Sequence, residues 1–195
     1  DHGLGRGTSI GAAIVRAPSS DGSADYGHLN LRGGLGGMLG EVSWAGRRGG
    51  GSAMRASVVG DLFKTSIAVE AVHNRGLRSE RMDPALRSYV GVALDRPVHA
   101  AGLILPLHFD LRSTRQQSGQ GVEANGRLSV ATRSVAASLV GGWSRFQSSD
   151  GMARESATAG LLVSGRAGKV RLRGEVHWRL KPDPTLMGVQ LTANR

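Results

Sequence analysis

The stretch Val170-Arg171-Leu172-Arg173-Gly174-Glu175-Val176-His177-Trp178-Arg179-Leu180 decides how the rest of the chain is read. Val170, Leu172, Gly174, Val176, Trp178 and Leu180 alternate without a break with Arg171, Arg173, Glu175, His177 and Arg179. Successive side chains of a strand point to opposite faces, so the pattern makes one apolar face and one charged face. At the helical period the same residues would put charge on every side. The stretch therefore predicts a strand that stands between two very different environments.

Leu103 to Arg112 repeats the arrangement. Leu103, Leu105, Leu107, Phe109 and Leu111 share one face, opposite Ile104, Pro106, His108, Asp110 and Arg112. Shorter cases are Leu29 and Leu31 against Asn30 and Arg32, and Met187, Val189 and Leu191 against Gly188, Gln190 and Thr192. The same phase runs through Val42 and Trp44, Met54 to Leu62, Ile67 to Ala71, Val90 to Leu94, Leu128 and Val130, Val135 to Trp143, and Ala157 to Val163. About twelve such segments predict an all-β fold, an up-and-down antiparallel β-barrel formed by residues 1–195 as one domain. Many of the segments can extend to the roughly 9 to 11 residues that a tilted membrane-crossing strand needs.

Composition removes other classes. The 30 glycines have no three-residue period and there are only 6 prolines, which excludes collagen. The absence of cysteine excludes disulfides, thiolate metal sites and cysteine nucleophiles. No apolar run approaches the ~20 residues of a membrane-spanning helix, whereas a barrel hides its apolar content in alternation. Asp1 to Gly7 does not read as a signal peptide, and a chain without an initial methionine reads as a mature or trimmed product. The formal charge of +10 comes almost wholly from arginines spread through the alternating segments. With no recognition helix to carry them, nucleic acid is not an expected partner.

Connectors supply an independent pattern, because long polar ones alternate with short ones. The long set is Ala17 to Tyr26, Gly46 to Ser52, Asn74 to Arg87, Ser113 to Asn125, Gln147 to Arg154 and Lys181 to Thr185. The short set is Gly33 to Gly37, Asp61 to Lys64, Pro97 to Ala101, Arg133 to Ser134 and Arg166 to Gly168. In a meander, odd and even connectors emerge at opposite ends, so one end is expected to carry loops and the other tight turns. Tyr26, Trp44, Tyr89, Phe109, Trp143, Phe146 and Trp178 fall near the long connectors, and Phe63 sits by a short one. Amphipathic rings favour a membrane interface, which makes Trp44, Phe109, Trp143 and Trp178 the candidate interface aromatics.

The segments Val170 to Leu180 and Leu103 to Arg112, with their long and short connectors, resemble the transmembrane β-barrels of Gram-negative outer membranes over nearly the whole chain. More loosely, an arginine-rich face without a plug is similar to the C-terminal barrels of polysaccharide-export porins and phage-adsorption outer-membrane proteins. This resemblance implies a bacterial outer-membrane location, contact with membrane lipid and lipopolysaccharide, and a passive or export pore for an anionic or polysaccharide solute. Such barrels usually finish on a terminal aromatic, whereas this chain ends Leu191-Thr192-Ala193-Asn194-Arg195. Either the last strand is trimmed or missing, or the sequence is a piece of a larger barrel, so the expected strand count is a lower bound.

The candidate pore-lining residues are Arg32, Arg55, Arg112, Arg133, Arg171, Arg173 and Arg179, with His108, Asp110, Glu175 and His177. Set against carboxylates at Glu41, Glu70 and Asp95, they either brace the wall by cross-strand pairing or line an electropositive path. Arg47, Arg48, Arg75, Arg78, Arg81, Arg87 and Arg115 are loop residues, either solvated or in contact with lipopolysaccharide phosphates. Neither a G-x-S-x-G nucleophile motif nor an H-E-x-x-H metal motif occurs, so no catalytic, metal or cofactor residue is expected. The glycine-rich stretches at Gly3 to Gly7 and Gly33 to Gly37 lack the strand, loop and helix context of a phosphate cradle. Two alternatives stay open: a barrel enzyme acting on lipid or peptide through His108 or His177, and a soluble barrel or sandwich with its apolar faces turned inward.

Overall fold

The computed structural model describes residues 2–5, 7–19, 22–77, 85–100, 102–167 and 169–194. Thirteen strands follow one another: β1 (His2–Gly5), β2 (Thr8–Ser19), β3 (Gly22–Leu35), β4 (Met38–Arg47), β5 (Ser52–Leu62), β6 (Thr65–Arg75), β7 (Leu86–Ala100), β8 (Leu103–Gln116), β9 (Gly119–Ala131), β10 (Val135–Ser148), β11 (Ala153–Ala167), β12 (Val170–Lys181) and β13 (Thr185–Asn194). Their hydrogen-bonded order is their sequence order, and there is no helix among the described residues. The chain is thus the all-β, up-and-down antiparallel meander that its alternation predicts.

Two compact units divide it, one made of Asp1–Val92 with Arg112–Gln120, the other of Ala93–Leu111 with Gly121–Arg195. In the first unit, register turns alternation into two faces. Ile10 stands opposite Leu31, and Leu31 opposite Val42. Leu29 stands opposite Trp44, Trp44 opposite Met54, and Val58 opposite Val69. On the other face Arg32 meets Glu41, Asn30 meets Ser43, Ser43 meets Arg55, and Ser57 meets Glu70. The second unit repeats the division: Leu161 lies between Leu139 and Val176, and Val176 opposite Val189. Its polar face carries Ser164 opposite Arg173, and Arg173 opposite Thr192.

Among the described residues, neither unit shows an apolar core of the usual kind. Among the described residues the buried hydrophobic side chains are Ala24, Ala53 and Leu77. Large apolar side chains are exposed instead, including Ile14 at 87 % and Leu191 at 82 %. A soluble domain buries most of its Leu, Ile and Val. Here the ladder hydrogen bonds satisfy the backbone while the apolar face is left open.

Several sequence expectations need correction. Strand β2 falls where no segment was expected, because Gly11, Ala12 and Ala13 give little contrast between faces. Two of the long connectors are mostly strand. Ser113 to Asn125, expected as a loop, is the end of β8, a two-residue turn at Gln117 and Ser118, and the start of β9. Likewise Ala17 to Tyr26 falls largely within β2 and β3. Polar residues such as Thr114 and Glu123 continue a ladder without loss, since the hydrogen bonds are made by the backbone. The connector between β6 and β7 remains long, running from Gly76 to Ala85. Arg78 and Arg81 of the loop set lie outside the described residues.

Turn chemistry fixes the registers. Gly36 and Gly37, at φ 59° and 83°, form the two-residue hairpin turn that needs positive φ twice and so selects glycine. Phe63 and Lys64 adopt the same sign of φ, 50° and 62°, between the paired residues Leu62 and Thr65 without glycine's freedom. At the other end, Asn74 is 2 % exposed and holds the turn that follows β6. Its Oδ1 accepts from the Leu77 N–H at 2.8 Å, and its Nδ2 donates to the Leu77 carbonyl at 3.2 Å.

Candidate functional site

The polar face carries the candidate site, and the strands set its side chains two residues apart. In the first unit the predicted Arg32 and Arg55 both stand on this face, each beside a carboxylate. Arg32 Nη2 donates to Glu41 Oε2 at 2.8 Å, across a directly opposed pair. Arg55 Nε donates to Glu70 Oε1 at 2.7 Å, and Glu70 stands opposite Ser57. Arg112 continues the parity of His108 and Asp110 along β8.

In the second unit the polar face carries three separate groups of paired side chains. His108 Nδ1 lies 2.7 Å from Asp95 Oδ1, and its Nε2 lies 3.8 Å from Asp110 Oδ1. Asn125 Nδ2 donates to Asp110 Oδ2 at 3.2 Å. The closer partner of His108 is thus Asp95 on the neighbouring strand, whereas the sequence drew attention to Asp110 two positions away. Further along, Arg127 donates through Nη2 to Ser138 Oγ at 3.1 Å and through Nε to Ser129 Oγ at 3.2 Å, and the two hydroxyls are 2.9 Å apart. His177 Nε2 stands 3.5 Å from Glu175 Oε2, and Glu175 also pairs with Arg173.

Two concavities open on this face. A cavity of about 260 Å³ is lined by His108, Asn125, Arg127, Thr158 and His177, and so brings together the two predicted histidines. Gly160 makes room for His177, because a Cβ there would stand about 3.0 Å from the imidazole Nδ1. Nearer the short turns, a groove of about 570 Å³ gathers the predicted Arg133, Arg171 and Arg173 with Arg166, Ser134, Ser164 and Thr192. Arg179, also predicted, lies apart from both. Its Nε donates to the Asp183 carbonyl at 3.4 Å and its Nη2 to Thr185 Oγ1 at 3.5 Å, which closes the turn between β12 and β13.

The aromatic positions divide between the faces. Trp44 and Trp178 stand in apolar cross-strand rows, Trp44 between Leu29 and Met54, Trp178 between Ala159 and Leu186. Phe109 has the apolar parity of β8. Trp143, opposite Ala157, turns its indole N–H outward along the strands to Glu155 Oε1 at 2.7 Å, where Lys181 Nζ also donates at 3.1 Å. An indole tied to a charged pair beside an apolar row has one end dry and the other wet. Tyr89 and Phe146 belong to the polar face, by the parity of Asp95 on β7 and of Ser138 on β10.

Sequence reasoning missed the Arg127, Ser129 and Ser138 cluster and the membership of Arg166. Their parity was legible; the strand pairing that joins them was not. Among the described residues no group of three His, Asp or Glu side chains is placed to hold a metal ion. The chain matches no family model and no curated protein.

Proposed function

We propose that the meander forms a β-barrel that crosses a bacterial outer membrane, with its apolar face toward lipid and its polar face lining a water-filled pore. The observation that carries this reading is the exposure of the apolar face: Leu29, Leu31, Val42 and Trp44 in one unit, Leu139, Leu161, Leu172 and Leu191 in the other, all open while the buried hydrophobic side chains among the described residues are Ala24, Ala53 and Leu77. Exposed apolar patches beyond a few hundred Å² mark an interaction surface, and a row repeated on strand after strand suits hydrocarbon better than one protein partner. The strands, 10 to 15 residues from β2 onward, meet the length that a tilted crossing requires. Arg32, Arg55, Arg127, Arg171 and Arg173 then face the lumen, which favours the passage of anionic or polyhydroxylated solutes, polysaccharide included. Trp143 with Glu155 and Lys181 marks the interface, and lipopolysaccharide is the outer-leaflet partner.

The test is reconstitution. The protein is expected to be recovered only with detergent and to give stepwise conductance in planar bilayers, with a preference for anions. Recovery as a soluble monomer without detergent would overturn the membrane reading, and a folded but non-conducting protein would overturn the pore.

A further inference from the structure

We infer that the cavity over Gly142 and Gly160, on the polar face of the second unit, binds a neutral polyhydroxylated ring the size of one sugar unit. The inference rests on the reading of that face as the side that meets solute. The class of ligand follows from the way the polar side chains are turned. His108 Nδ1–H donates to Asp95 Oδ1 at 2.7 Å, since a carboxylate can only accept, and the neutral imidazole then has its acceptor at Nε2. Asn125 Nδ2 donates to Asp110 Oδ2 at 3.2 Å, so the amide turns its oxygen the other way. His177 Nε2 faces Glu175 Oε2 at 3.5 Å, which makes Nδ1 its acceptor. Three carboxylates thus each occupy a donor and leave an acceptor for the cavity.

Two glycines let those acceptors converge. Gly142 stands opposite Thr158, and a Cβ there would lie 2.9 Å from Asn125 Oδ1 and 3.2 Å from Thr158 Oγ1. Gly160 stands between Val140 and His177, and a Cβ there would lie 2.8 Å from Val140 Cγ2 and 3.0 Å from His177 Nδ1. The floor is therefore bare backbone and Val140, and the rim is made of hydrogen-bonding groups. Donors come from Thr158 and from Arg127, which two serine hydroxyls hold in place. A hydroxyl donates and accepts at once, so a ring of hydroxyls satisfies both kinds of group while its C–H edge lies on Val140. A phosphate or carboxylate offers acceptors alone. It would meet Asn125 Oδ1 and His177 Nδ1 with no proton to share, and Asp95, Asp110 and Glu175 would repel it from behind. The volume, about 260 Å³, lies below the roughly 300 to 1,000 Å³ of drug-sized sites and suits one ring at a time.

The test is a saturation-transfer NMR titration of the whole chain, folded in a phosphocholine detergent. The probes are the methyl glycosides of glucose, galactose and mannose, with the corresponding uronates as a charged arm. At least one glycoside is expected to saturate, and its uronate to bind more weakly. Thr158→Val keeps the shape and loses the hydroxyl, and Gly142→Ala pushes a Cβ between Asn125 and Thr158. Each is expected to weaken binding about fivefold or more. Ser43→Ala removes a hydroxyl from the polar face of the other unit and is expected to change nothing. Saturation by none of the three glycosides would overturn the inference. So would a uronate that binds as tightly as its neutral counterpart, parental affinity in Thr158→Val, or an equal loss in Ser43→Ala. Conductance separates this inference from the pore: glycoside binding without conductance supports the site alone, and conductance without binding overturns the site alone.

Discussion

At the scale of single residues, the side chains with most at stake are polar ones that hold turns. Asn74 is the one fully buried side chain of any size among the described residues, and both ends of its amide are used on Leu77. Asn74→Ala strands the Leu77 N–H and carbonyl in a buried place and is expected to cost about 1–3 kcal/mol. Urea unfolding in detergent checks the value, with Asn74→Asp, which keeps the acceptor, falling between it and the parent. Asp150 gives a second case, outside the strands. The Met152 N–H donates to Asp150 Oδ1 at 3.1 Å and the Ser148 hydroxyl assists, so the carboxyl is held below its ordinary range. A lowered folded value contributes stability that is complete above the unfolded value, roughly 3.9, and is lost as pH falls through the folded value. The Met152 amide resonance is therefore expected to titrate with a midpoint below that of a free aspartate. Asp150→Asn should abolish that step, and a midpoint at or above the free value would contradict it.

At the scale of elements, the two faces of one strand are expected to answer differently to the same kind of change. Leu105→Arg on β8 and Val176→Arg on β12 place charge on the proposed lipid face and should cost roughly 2–4 kcal/mol near mid-membrane. Thr158→Leu, on the polar face of β11, should cost much less by the same unfolding measurement, and equal costs would undo the assignment of faces. The β5–β6 hairpin offers the opposite sign. Phe63 and Lys64 sit at positive φ, where side chains are strained by about 1 kcal/mol or more. Phe63→Asn combined with Lys64→Gly should therefore raise the urea midpoint in detergent. It should also weaken partition into vesicles, because Phe63 is 86 % exposed at the turn end. An unchanged midpoint would remove the strain from the account. What the sequence disclosed at this scale followed contrast between faces. Val170 to Leu180 was legible in full, and Thr8 to Ser19 was not, since small residues on both sides leave no contrast to read. Strand ends such as Ser113 to Gln116 were hidden for a different reason: a ladder made by the backbone puts no demand on side chains that water reaches on both faces.

For the whole molecule, pairing is the part that alternation could not give and turns could. With Leu35 opposite Met38 across Gly36 and Gly37, counting outward puts Arg32 against Glu41 without further information. The arginine groove needed three strands in register before Arg166 met Arg171, and a one-residue shift would have sent either side chain to the other face. The strand order carries a consequence for how such a chain can change over generations. Among the described residues, the strands β1 to β13 pair with their neighbours in sequence. A hairpin can therefore be duplicated or deleted without crossing any other connection, whereas loss of one strand would invert every later strand and exchange the two ends of the sheet. Length variation among descendants is expected in steps of two strands, with the strands on either side of the change keeping their direction and their faces.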